Sequence, residues 1–277
     1  MPSRGEARSR ATERLRSSGV PASALDADLL LAHTLDVPKE ALVAHPEIEL
    51  TVAETRRYDM LIERRAAGVP VAYLRGYKEF YGLRFMVDER VLVPRPETEV
   101  LVDAVRAHAR GRSLTIVDVG TGSGAIAVAL AAVEPRLRLI ATDISTDALA
   151  VARANVEANG VRVELRAGDL LIPITEFVDV VAANLPYLRD DDLVDLTGDR
   201  ASLAHEPRLA TAAGPDGLGL VRRAIADLPR VLGPDGAAFF ECDPPQVAAI
   251  SALLAPLGSV DVLRDLAGFD RVVRLRR

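Results

Sequence analysis

The sequence predicts an α/β protein in which a small all-α N-terminal domain precedes a mostly parallel, seven-stranded sheet. Three observations predict this fold class. From about residue 98, apolar β-branched runs alternate with apolar patterns of helical period, which is typical of right-handed βαβ units. Residues 1–75 carry helical patterns only. The last two strand-like runs, 259–264 and 270–275, leave no room for a helix between them, so the last strand is expected to be antiparallel.

The N-terminal domain, residues 1–75, is predicted to be a bundle of four or five short helices. Two segments have the pattern of a capping box. In this motif a Ser or Thr side chain accepts from the backbone N–H three positions later, and the acidic side chain at that position accepts from the backbone N–H of the Ser or Thr. They are Ser23-x-x-Asp26 and Thr51-x-x-Glu54. A later glycine is expected to end the second of these helices.

Residues 76–97 form a predicted linker of different character. The stretch 77–87 is rich in aromatic and β-branched residues around a central glycine, which predicts a β-hairpin. The residues that follow are extended, because Pro94 and Pro96 restrict the backbone. The α/β domain is then expected to occupy residues 98–277.

Within the α/β domain the expected strands and helices alternate. The strands are predicted at 114–119, 138–143, 161–166, 178–183, 236–241, 259–264 and 270–275. The helices are predicted at 99–109, 124–133, 146–158, 217–232 and 245–256. Open α/β sheets bind ligands beyond the carboxyl ends of their strands, so the residues after the first four strands are the first candidates for a site.

Composition excludes several classes of protein. Of 277 residues, 49% are apolar, and no run approaches the ~20 apolar residues that a membrane span needs. The single cysteine, Cys242, and four histidines without ligand spacing argue against a metal site. The formal net charge of −6 disfavours binding to duplex DNA by charge alone. The first residues lack the apolar core of a signal peptide, which predicts a cytoplasmic location.

Five arginines lie within the first sixteen residues, against two glutamates. Two interpretations stay open: a solvated helix face, or a surface that contacts RNA or another partner. The sequence does not decide between them.

A glycine-rich loop follows the first predicted strand. Its residues are Gly120, Thr121, Gly122, Ser123 and Gly124. Glycines let the backbone approach a ligand closely, and the start of the next helix offers free N–H groups. The spacing also satisfies the dinucleotide fingerprint, so the loop alone fits a nicotinamide cofactor or S-adenosylmethionine. Asp118 favours the second, because a carboxylate suits a cationic methionine end better than a pyrophosphate.

Two further acidic residues follow predicted strands. Asp143 closes the second strand, where an acidic side chain would accept the ribose hydroxyls of an adenosine cofactor. Its alternative role is to cap the next helix. After the third strand, Asp169 is predicted to accept the adenine amino group while Leu170 or Leu171 covers the base, and a plain turn is the alternative.

The most informative segment is Asn184-Leu185-Pro186-Tyr187, directly after the fourth strand. The Asn184 side-chain oxygen and the Leu185 carbonyl can accept the two N–H bonds of an –NH2 group, and the Tyr187 ring can cover its flat face. Taken alone, this pattern fits a structural turn as well as a catalytic clamp. With the glycine loop upstream, we interpret all four residues as catalytic and substrate-binding, and we expect Asn184 to border the cofactor as well.

The glycine loop, acidic strand end, Gly-Asp and Asn-x-Pro-Tyr occur in the order and spacing of class I amino-methyltransferases. The chain further resembles the bacterial peptide-chain release factor glutamine N5-methyltransferases, the HemK/PrmC family, over nearly its whole length. Generic methyltransferases lack the stretches that carry this resemblance, which are Arg95-Pro96-Glu97-Thr98-Glu99, Glu206-Pro207-Arg208 and Asp216-Gly217-Leu218.

This resemblance implies a Rossmann-like class I methyltransferase fold with S-adenosyl-L-methionine as its cofactor. The implied substrate is the Gln of the Gly-Gly-Gln motif of class I peptide-chain release factors, which the helical domain would help to recognise. Neither a metal nor a membrane is implied, and nucleic acid is not the expected substrate. Phe80, Phe85 and Arg95 are expected to wall the substrate pocket, with interdomain packing as the alternative.

Two positions depart from the family pattern. Leu185 stands where the family usually has the first Pro of Asn-Pro-Pro-Tyr. Because any residue offers a backbone carbonyl, activity is expected to survive. Cys242 follows Glu241 where the family tends to have Gly, so the sequence assigns no role to Glu241.

Other functions stay open at this point. Adenine-N6 methylation of nucleic acid presents the same –NH2 geometry, but it usually needs base flipping and a basic groove. A related enzyme could methylate a Gln of another translation protein, and a catalytically silent binding module is a further alternative. A nicotinamide oxidoreductase would leave Asp118 and Asn184 without a role. The sequence gives neither the oligomeric state nor the preferred release factor.

Overall fold

The computed structural model describes residues 1–194, 196 and 198–277, and the chain divides into two compact units. We call Met1–Tyr77 together with Leu193–Glu206 the helical unit. The sheet unit consists of Lys78–Asp192 and Pro207–Arg277. The sequence analysis does not anticipate that a segment from beyond residue 190 belongs to the helical unit.

Five α-helices form within Met1–Tyr77, all of which the structure describes. They are α1 (Arg4–Ser17), α2 (Ser23–Leu35), α3 (Glu40–Ala44), α4 (Val52–Ala66) and α5 (Val71–Arg75). Their apolar faces meet around fully buried side chains such as Leu15, Leu30 and Tyr58. The Tyr58 hydroxyl donates to the Ala27 carbonyl at 3.0 Å, so the polar group of this ring is satisfied inside the core.

The two predicted capping boxes have different outcomes. Thr51 caps α4, because its hydroxyl accepts from the Glu54 N–H at 3.2 Å while the Glu54 carboxylate accepts from the Thr51 N–H at 2.7 Å. This prediction is confirmed. The prediction for Ser23 is wrong, since α2 has no side-chain cap. Asp26 instead pairs with Arg65 of α4 at 2.7 Å, so its carboxylate is unavailable to the start of its own helix.

The arginines of α1 form ion pairs with neighbouring helices. The pairs are Arg8–Asp28, Arg10–Asp59 and Arg14–Glu63, at 2.6, 3.0 and 2.6 Å. These three positive charges are therefore matched by acids of the helical unit. The pairing favours a structural helix face over a surface for RNA.

The hairpin predicted within residues 77–87 consists of β1 (Tyr77–Phe80) and β2 (Leu83–Met86). Side chains from later helices bond its backbone. The Glu99 carboxylate accepts from the Tyr81 N–H at 2.7 Å. Asn155 accepts from the Met86 N–H at 2.7 Å and donates to the Met86 carbonyl at 3.0 Å. The hairpin is therefore bonded to later helices at its turn and at the end of its second strand.

The described part of the sheet unit contains one seven-stranded sheet. Its strands are β3 (Thr115–Val119), β4 (Arg138–Asp143), β5 (Glu164–Ala167), β6 (Val178–Ala183), β7 (Leu232–Glu241), β8 (Ser259–Arg264) and β9 (Asp270–Arg276). The helices are α6 (Glu99–Ala109), α7 (Ala125–Val133), α8 (Thr146–Ala158), α9 (Arg208–Thr211), α10 (Gly219–Val231) and α11 (Val247–Leu254). The strand order is β5-β4-β3-β6-β7-β9-β8, in which only the pairs made by β9 are antiparallel. The predicted sheet is confirmed.

Both faces of the sheet are covered by apolar side chains. Val117 and Val181 pack in the core on one face, and Ile116 and Val180 pack in the core on the other. Strands buried on both faces are apolar without alternation, as the sequence shows for β3 and β6. The chain leaves β3 for β4 on one side and later places β6 on the other side of β3. Ligands bind at such a switch point in open α/β sheets.

Two strand boundaries differ from the prediction by more than one residue. β7 begins at Leu232, four residues before the predicted strand 236–241. β5 begins at Glu164, three residues later than the predicted strand 161–166. Gly160 adopts a left-handed φ of +64°, and the Val161 N–H donates to the Val156 carbonyl at 3.2 Å. These residues therefore close the C-terminus of α8 before the strand can start.

Candidate active site

A cleft lies over the carboxyl ends of β3, β4 and β6 in the sheet unit. Eight residues predicted from the sequence line it: Gly120, Gly122, Asp143, Asp169, Leu170, Asn184, Leu185 and Pro186. The other predicted residues, all described, lie outside its lining: Phe80, Phe85, Arg95, Asp118, Thr121, Ser123, Gly124, Leu171 and Tyr187. The cleft thus joins the glycine loop to the turn after β6.

The glycine loop passes over the end of β4 on its way from β3 to α7. The N–H groups of Gly120 and Thr121 both donate to the Thr142 carbonyl, each at 2.9 Å. Gly120 has a φ of +70° and Gly122 a φ of +55°, values that favour glycine. A Cβ on Gly122 would meet nothing within 4 Å. This part of the backbone therefore lets a ligand approach closely.

Asp118 lies beneath the loop and is fully buried. Its Oδ2 accepts from the Thr121 hydroxyl at 2.6 Å and from the Ala127 N–H at 3.2 Å, whereas its Oδ1 has no partner among the described residues. Burial raises the pKa of Asp118 to about 7, and the charge of Asp143 adds to the rise. Asp118 therefore ties the loop to the first turn of α7. Its contact with a cofactor stays a prediction.

Asp143 stands at the end of β4 in the wall of the cleft. One carboxylate oxygen accepts from the Gly122 N–H and the other from the Ser145 N–H, each at 2.9 Å. The cap of α8 is Ser145, whose hydroxyl accepts from the Ala148 N–H at 3.1 Å. The alternative role considered for Asp143, a helix cap, is thus carried by another residue.

Asp169 forms an ion pair with Arg223 of α10, and both residues line the cleft. The next residue, Leu170, is 8% exposed and has a left-handed φ of +49°. Its carbonyl accepts from the Thr142 hydroxyl at 2.9 Å, which holds this unusual backbone in place. Arg223 could not be predicted, because no local pattern connects it with residues more than fifty positions earlier.

The turn Asn184–Tyr187 is held from two sides. Leu185 is 3% exposed, and a Cβ on Gly120 would lie 3.0 Å from Leu185 Cδ2, so this side chain covers the glycine loop. At the other end, the Tyr187 carbonyl accepts from Gln246 Nε2 at 3.0 Å. The turn therefore has fixed neighbours at its second and fourth residues.

Tyr187 is largely enclosed next to the turn. Burial raises the pKa of its hydroxyl to about 12, with further contributions from the charges of Glu241 and Asp243. Arg95 and Arg271 act in the opposite direction on the same pKa. Arg95 is therefore near enough to Tyr187 for an electrostatic effect, although it does not line the cleft.

Asn184 is hydrogen-bonded to Thr98 and, through the Thr98 hydroxyl, connected with Glu241, and neither residue has a predicted role. Asn184 Nδ2 donates to the Thr98 hydroxyl at 2.9 Å, and that hydroxyl donates to Glu241 Oε1 at 3.2 Å. Thr98 and Glu241 are each 4% exposed. The pairing of Ala183 with Phe240 explains the proximity, because it sets residues 184 and 241 side by side. The sequence contained a signal for each residue, because Thr98 lies in a family-specific stretch and Glu241 lies at the end of a strand.

Phe80 has a different position from the predicted one. It is 2% exposed and packs edge to face on Phe85, with ring centroids 5.9 Å apart, in the core of the sheet unit. Little of the ring is accessible to a ligand. The structure gives no support to its predicted role in the substrate pocket.

Known proteins resemble this chain over nearly its whole length. Residues 6–76 match the family described as PrmC N-terminal domain, and residues 96–201 match the family described as methyltransferase small domain. A release factor glutamine methyltransferase of Deinococcus radiodurans is 40% identical over 274 residues, covering 96% of each chain. One of Moorella thermoacetica is 41% identical over 268 residues, covering 94% of each chain. The chain belongs to the release factor glutamine methyltransferase family.

Solved structures of lower identity share the fold of this release factor glutamine methyltransferase family member. A methyltransferase from Pyrococcus furiosus has a TM-score of 0.51 and 18% identity, covering 72% of this chain and 91% of its own. The hMettl16 catalytic domain in complex with MAT2A 3'UTR hairpin 6 has a TM-score of 0.55 and 17% identity, covering 80% of this chain and 81% of its own. At this identity the likeness concerns the fold alone.

The described residues of this family member contain no group of three or more His, Cys, Asp or Glu side chains placed to hold a metal ion. None of the described helices is both long enough and apolar enough to cross a membrane.

Proposed function

We propose that this protein transfers a methyl group from S-adenosyl-L-methionine to the side-chain amide nitrogen (N5) of the Gln in the Gly-Gly-Gln motif of class I peptide-chain release factors. One observation carries the proposal: Asn184 and Leu185 border the same cleft as the glycine loop. Acceptors for an –NH2 group therefore face the space beside a loop of cofactor-binding type. Membership of the family indicates the substrate class.

The lining of the cleft fits S-adenosylmethionine. Asp143 offers carboxylate oxygens at the strand end, where ribose hydroxyls would donate. Leu170, Leu209 and Leu220 offer apolar surface to an adenine ring. When bound, this cofactor supplies an electrophilic methyl group on a sulfonium sulfur.

The turn after β6 would fix the substrate amide. An amide nitrogen is a poor nucleophile, because its lone pair is delocalised into the carbonyl. Asn184 Oδ1 and the Leu185 carbonyl would accept the two N–H bonds in the amide plane and direct the nitrogen towards the methyl group. In well-aligned reactions such positioning contributes on the order of 7–11 kcal/mol. As the nitrogen–carbon bond forms, the carbon–sulfur bond would break and its electron pair would leave with S-adenosylhomocysteine. The methylated nitrogen would then release one proton to water, and no strong base is required because the nitrogen becomes acidic as it gains the methyl group.

Neighbouring residues would keep this geometry. Pro186 restricts Leu185 to extended backbone, which orients the accepting carbonyl. Tyr187 would pack on the flat face of the amide. The helical unit would bind other parts of the release factor. Because translation terminates in the cytoplasm, we propose that the enzyme acts there.

The first test is direct methyl transfer. The protein is incubated with labelled S-adenosylmethionine and either a class I release factor or nucleic acid, and mass spectrometry then locates the label. We expect the label on the Gln of the Gly-Gly-Gln peptide. Label in DNA or RNA but not in that peptide would reverse the choice of substrate, and label on a Gln of another translation protein would redefine it.

The role of Asn184 is tested with Asn184→Ala. Methyl transfer should fall at least about 100-fold, because one of the two acceptors is lost, whereas cofactor affinity should change little. Asn159→Ala is the matched control, since Asn159 lies outside the cleft and its side chain donates to the Arg84 carbonyl at 3.2 Å. Near wild-type turnover of the Asn184 variant would contradict the proposed clamp.

A further inference from the structure

The side-chain amide of Asn184 has two orientations, and only one of them serves the proposed reaction. With Oδ1 towards the substrate, Asn184 accepts an N–H bond; turned by half a rotation, it presents its own N–H groups to a donor. Nothing in an isolated asparagine prefers either state strongly. A group that fixes the amide is therefore needed for catalysis as much as the amide itself.

The hydroxyl of Thr98 is such a group, because it has a single hydrogen. In the structure that hydrogen points to Glu241 Oε1 at 3.2 Å, so the oxygen of Thr98 is left to accept from Asn184 Nδ2 at 2.9 Å. An ionised carboxylate can only accept, which makes the direction of this chain of bonds compulsory. Asn184 must then direct its NH2 group to Thr98, so its Oδ1 points away from Thr98.

The environment of Glu241 is unusual for a residue with a purely structural role. Glu241 is 4% exposed, and its second oxygen has no hydrogen-bond partner within the described part of the chain. A carboxylate buried in this way costs stability unless it serves another purpose. Burial raises the pKa of Glu241 to about 7, while hydrogen bonds from Thr98 and Asn184 oppose the rise.

Other charged groups face Glu241 from neighbouring segments. Glu97, in the linker before α6, raises its pKa, and Arg271 of β9 lowers it. In return, the charge of Glu241 raises the pKa values of Tyr187 and of the adjacent Cys242. Neither Glu97 nor Arg271 shares the hydrogen-bond chain from Glu241 through Thr98 to Asn184.

We propose that Glu241, acting through the hydroxyl of Thr98, is a positioning residue that holds Asn184 with its Oδ1 directed to the methyl-accepting amide. The proposal rests on the proposed function for the identity of that amide. Protonated Glu241 can donate to Thr98 instead, which allows Thr98 to donate to Asn184 and the amide to turn. The chain of bonds therefore links the orientation of Asn184 to the ionisation of Glu241.

Kinetics of variants provide the first test. Thr98→Val and Glu241→Gln should lower kcat about 10- to 100-fold with little change in cofactor affinity, and Thr98→Ser should restore kcat to within about threefold of wild type. Thr34→Val is the matched control, because it removes a buried hydroxyl that donates to the Leu30 carbonyl at 2.7 Å in the helical unit. The wild-type kcat should fall below a pH of about 7, and Glu241→Gln should lose that dependence.

A second measurement does not depend on catalysis. The side-chain NH2 signals of Asn184 are assigned in a ¹⁵N spectrum by their absence from Asn184→Asp. In the wild-type protein they should shift as the Glu241 carboxyl titrates, and in Thr98→Val that shift should be at least halved, because only the weaker direct effect of Glu241 on Asn184 remains. The proposal would be overturned if the Asn184 signals did not shift as Glu241 titrates. Wild-type kcat in both Thr98→Val and Glu241→Gln would overturn it as well.

The two proposals fail separately. Methylation of a release factor with no link between Glu241 and Asn184 keeps the proposed function and removes the positioning role. A spectroscopic link without methylation of any release factor keeps the positioning role and removes the proposed substrate.

Discussion

At the scale of single residues, Leu185 occupies a position where the family usually has proline, and its surroundings explain why leucine fits. Its side chain is 3% exposed and lies against Gly120, where a Cβ would be only 3.0 Å from Cδ2. The leucine thus fills the space that the glycine leaves in the loop. Pro186 still restricts the backbone of Leu185. The proposed role needs only the Leu185 carbonyl, which the substitution retains.

Asp118 should make stability depend on pH. In the folded protein its pKa of about 7 lies above the roughly 3.9 of an unfolded aspartate. The folded state binds more protons between these values, so Asp118 costs stability as pH rises from about 4 to about 7. In Asp118→Asn this cost is absent. The free energy of unfolding of the variant minus that of wild type should therefore rise by a few kcal/mol across this window, as measured by urea denaturation at stepped pH.

Thr121→Val provides a companion to that measurement. The Thr121 hydroxyl donates to Asp118, and this bond lowers the pKa of the carboxyl. Without this bond, the pKa of Asp118 should be higher in Thr121→Val than in the wild-type protein, so its pH window should lie at higher pH. A difference between Asp118→Asn and wild type that stays constant from pH 4 to pH 8 would contradict the assigned burial effect.

At the scale of elements, the connection before α10 supports the turn after β6. Gly217 has a φ of +71°, and a Cβ there would lie 2.3 Å from the Tyr187 carbonyl oxygen and 2.7 Å from Gln246 Nε2. Gly217→Ala must therefore displace the end of the turn. We expect the free energy of unfolding to fall by about 2–4 kcal/mol, with a loss of kcat because Asn184 belongs to the same turn.

Gly111→Ala separates the two causes of that loss. Gly111 has a nearly identical φ of +72°, but a Cβ there would meet nothing within 4 Å. It should show only the cost of a left-handed alanine, about 1–2 kcal/mol, and no loss of kcat. Equal effects of the two substitutions on stability and kcat would show that the contact with Tyr187 is unimportant.

The ion pair between α2 and α4 should stabilise the helical unit more than the pairs on its surface. The side chains of Asp26 and Arg65 are only 10% and 14% exposed. Asp26→Ala leaves Arg65 buried without its partner, so the free energy of unfolding should fall by about 3–5 kcal/mol. Asp59→Ala breaks the pair with Arg10, whose side chains are both more than half exposed, and should cost less than about 1 kcal/mol. Chemical denaturation followed by circular dichroism gives both values, and similar losses would contradict this ranking.

The sequence predicted helices and strands correctly where apolar runs and helical periodicity alone determine them. The strands that became β3, β4 and β6 and the helix that became α8 follow from apolar runs and helical period, and their bounds agree within one residue. The errors at α2 and β5 have different causes, the first tertiary and the second local. Ser23-x-x-Asp26 has the spacing of a capping box, but Arg65 from another helix holds Asp26. β5 starts late because Gly160 and Val161 complete the preceding helix.

The same distinction applies to the site. Residues at strand ends, such as Asp143 and Asn184, could be placed from the sequence, because parallel strands present their ends along one edge. Arg223 could not be assigned a role, since it pairs with a residue more than fifty positions away. Glu241 could be placed at a strand end, but the sequence does not show its link to Asn184 through Thr98. Phe80 shows the converse: an aromatic residue near a predicted pocket wall serves the core instead.

At the scale of the whole molecule, the chain enters the helical unit twice. Leu193–Glu206, which follows the turn at Asn184, belongs to the same compact unit as Met1–Tyr77. Within that unit His205 Nε2 lies 3.0 Å from the Ala67 carbonyl oxygen, next to Gly68. A Cβ on Gly68 would lie 2.9 Å from the same nitrogen, so the two segments fit closely there. The helical unit is therefore incomplete without residues from beyond the fourth strand of the sheet.

This arrangement predicts that residues 1–77 alone are less protected than in the full chain. Without the second segment, the end of α4 loses its contact with His205, so the amides of Ala67, Gly68 and Val69 should exchange hydrogen at least about tenfold faster. His205→Ala in the full chain should give a smaller increase at the same amides, because it removes one contact and keeps the segment. Hydrogen exchange measured by mass spectrometry compares the three proteins. Equal protection of these amides in the fragment and the full chain would mean that the first 77 residues form this part of the unit without help.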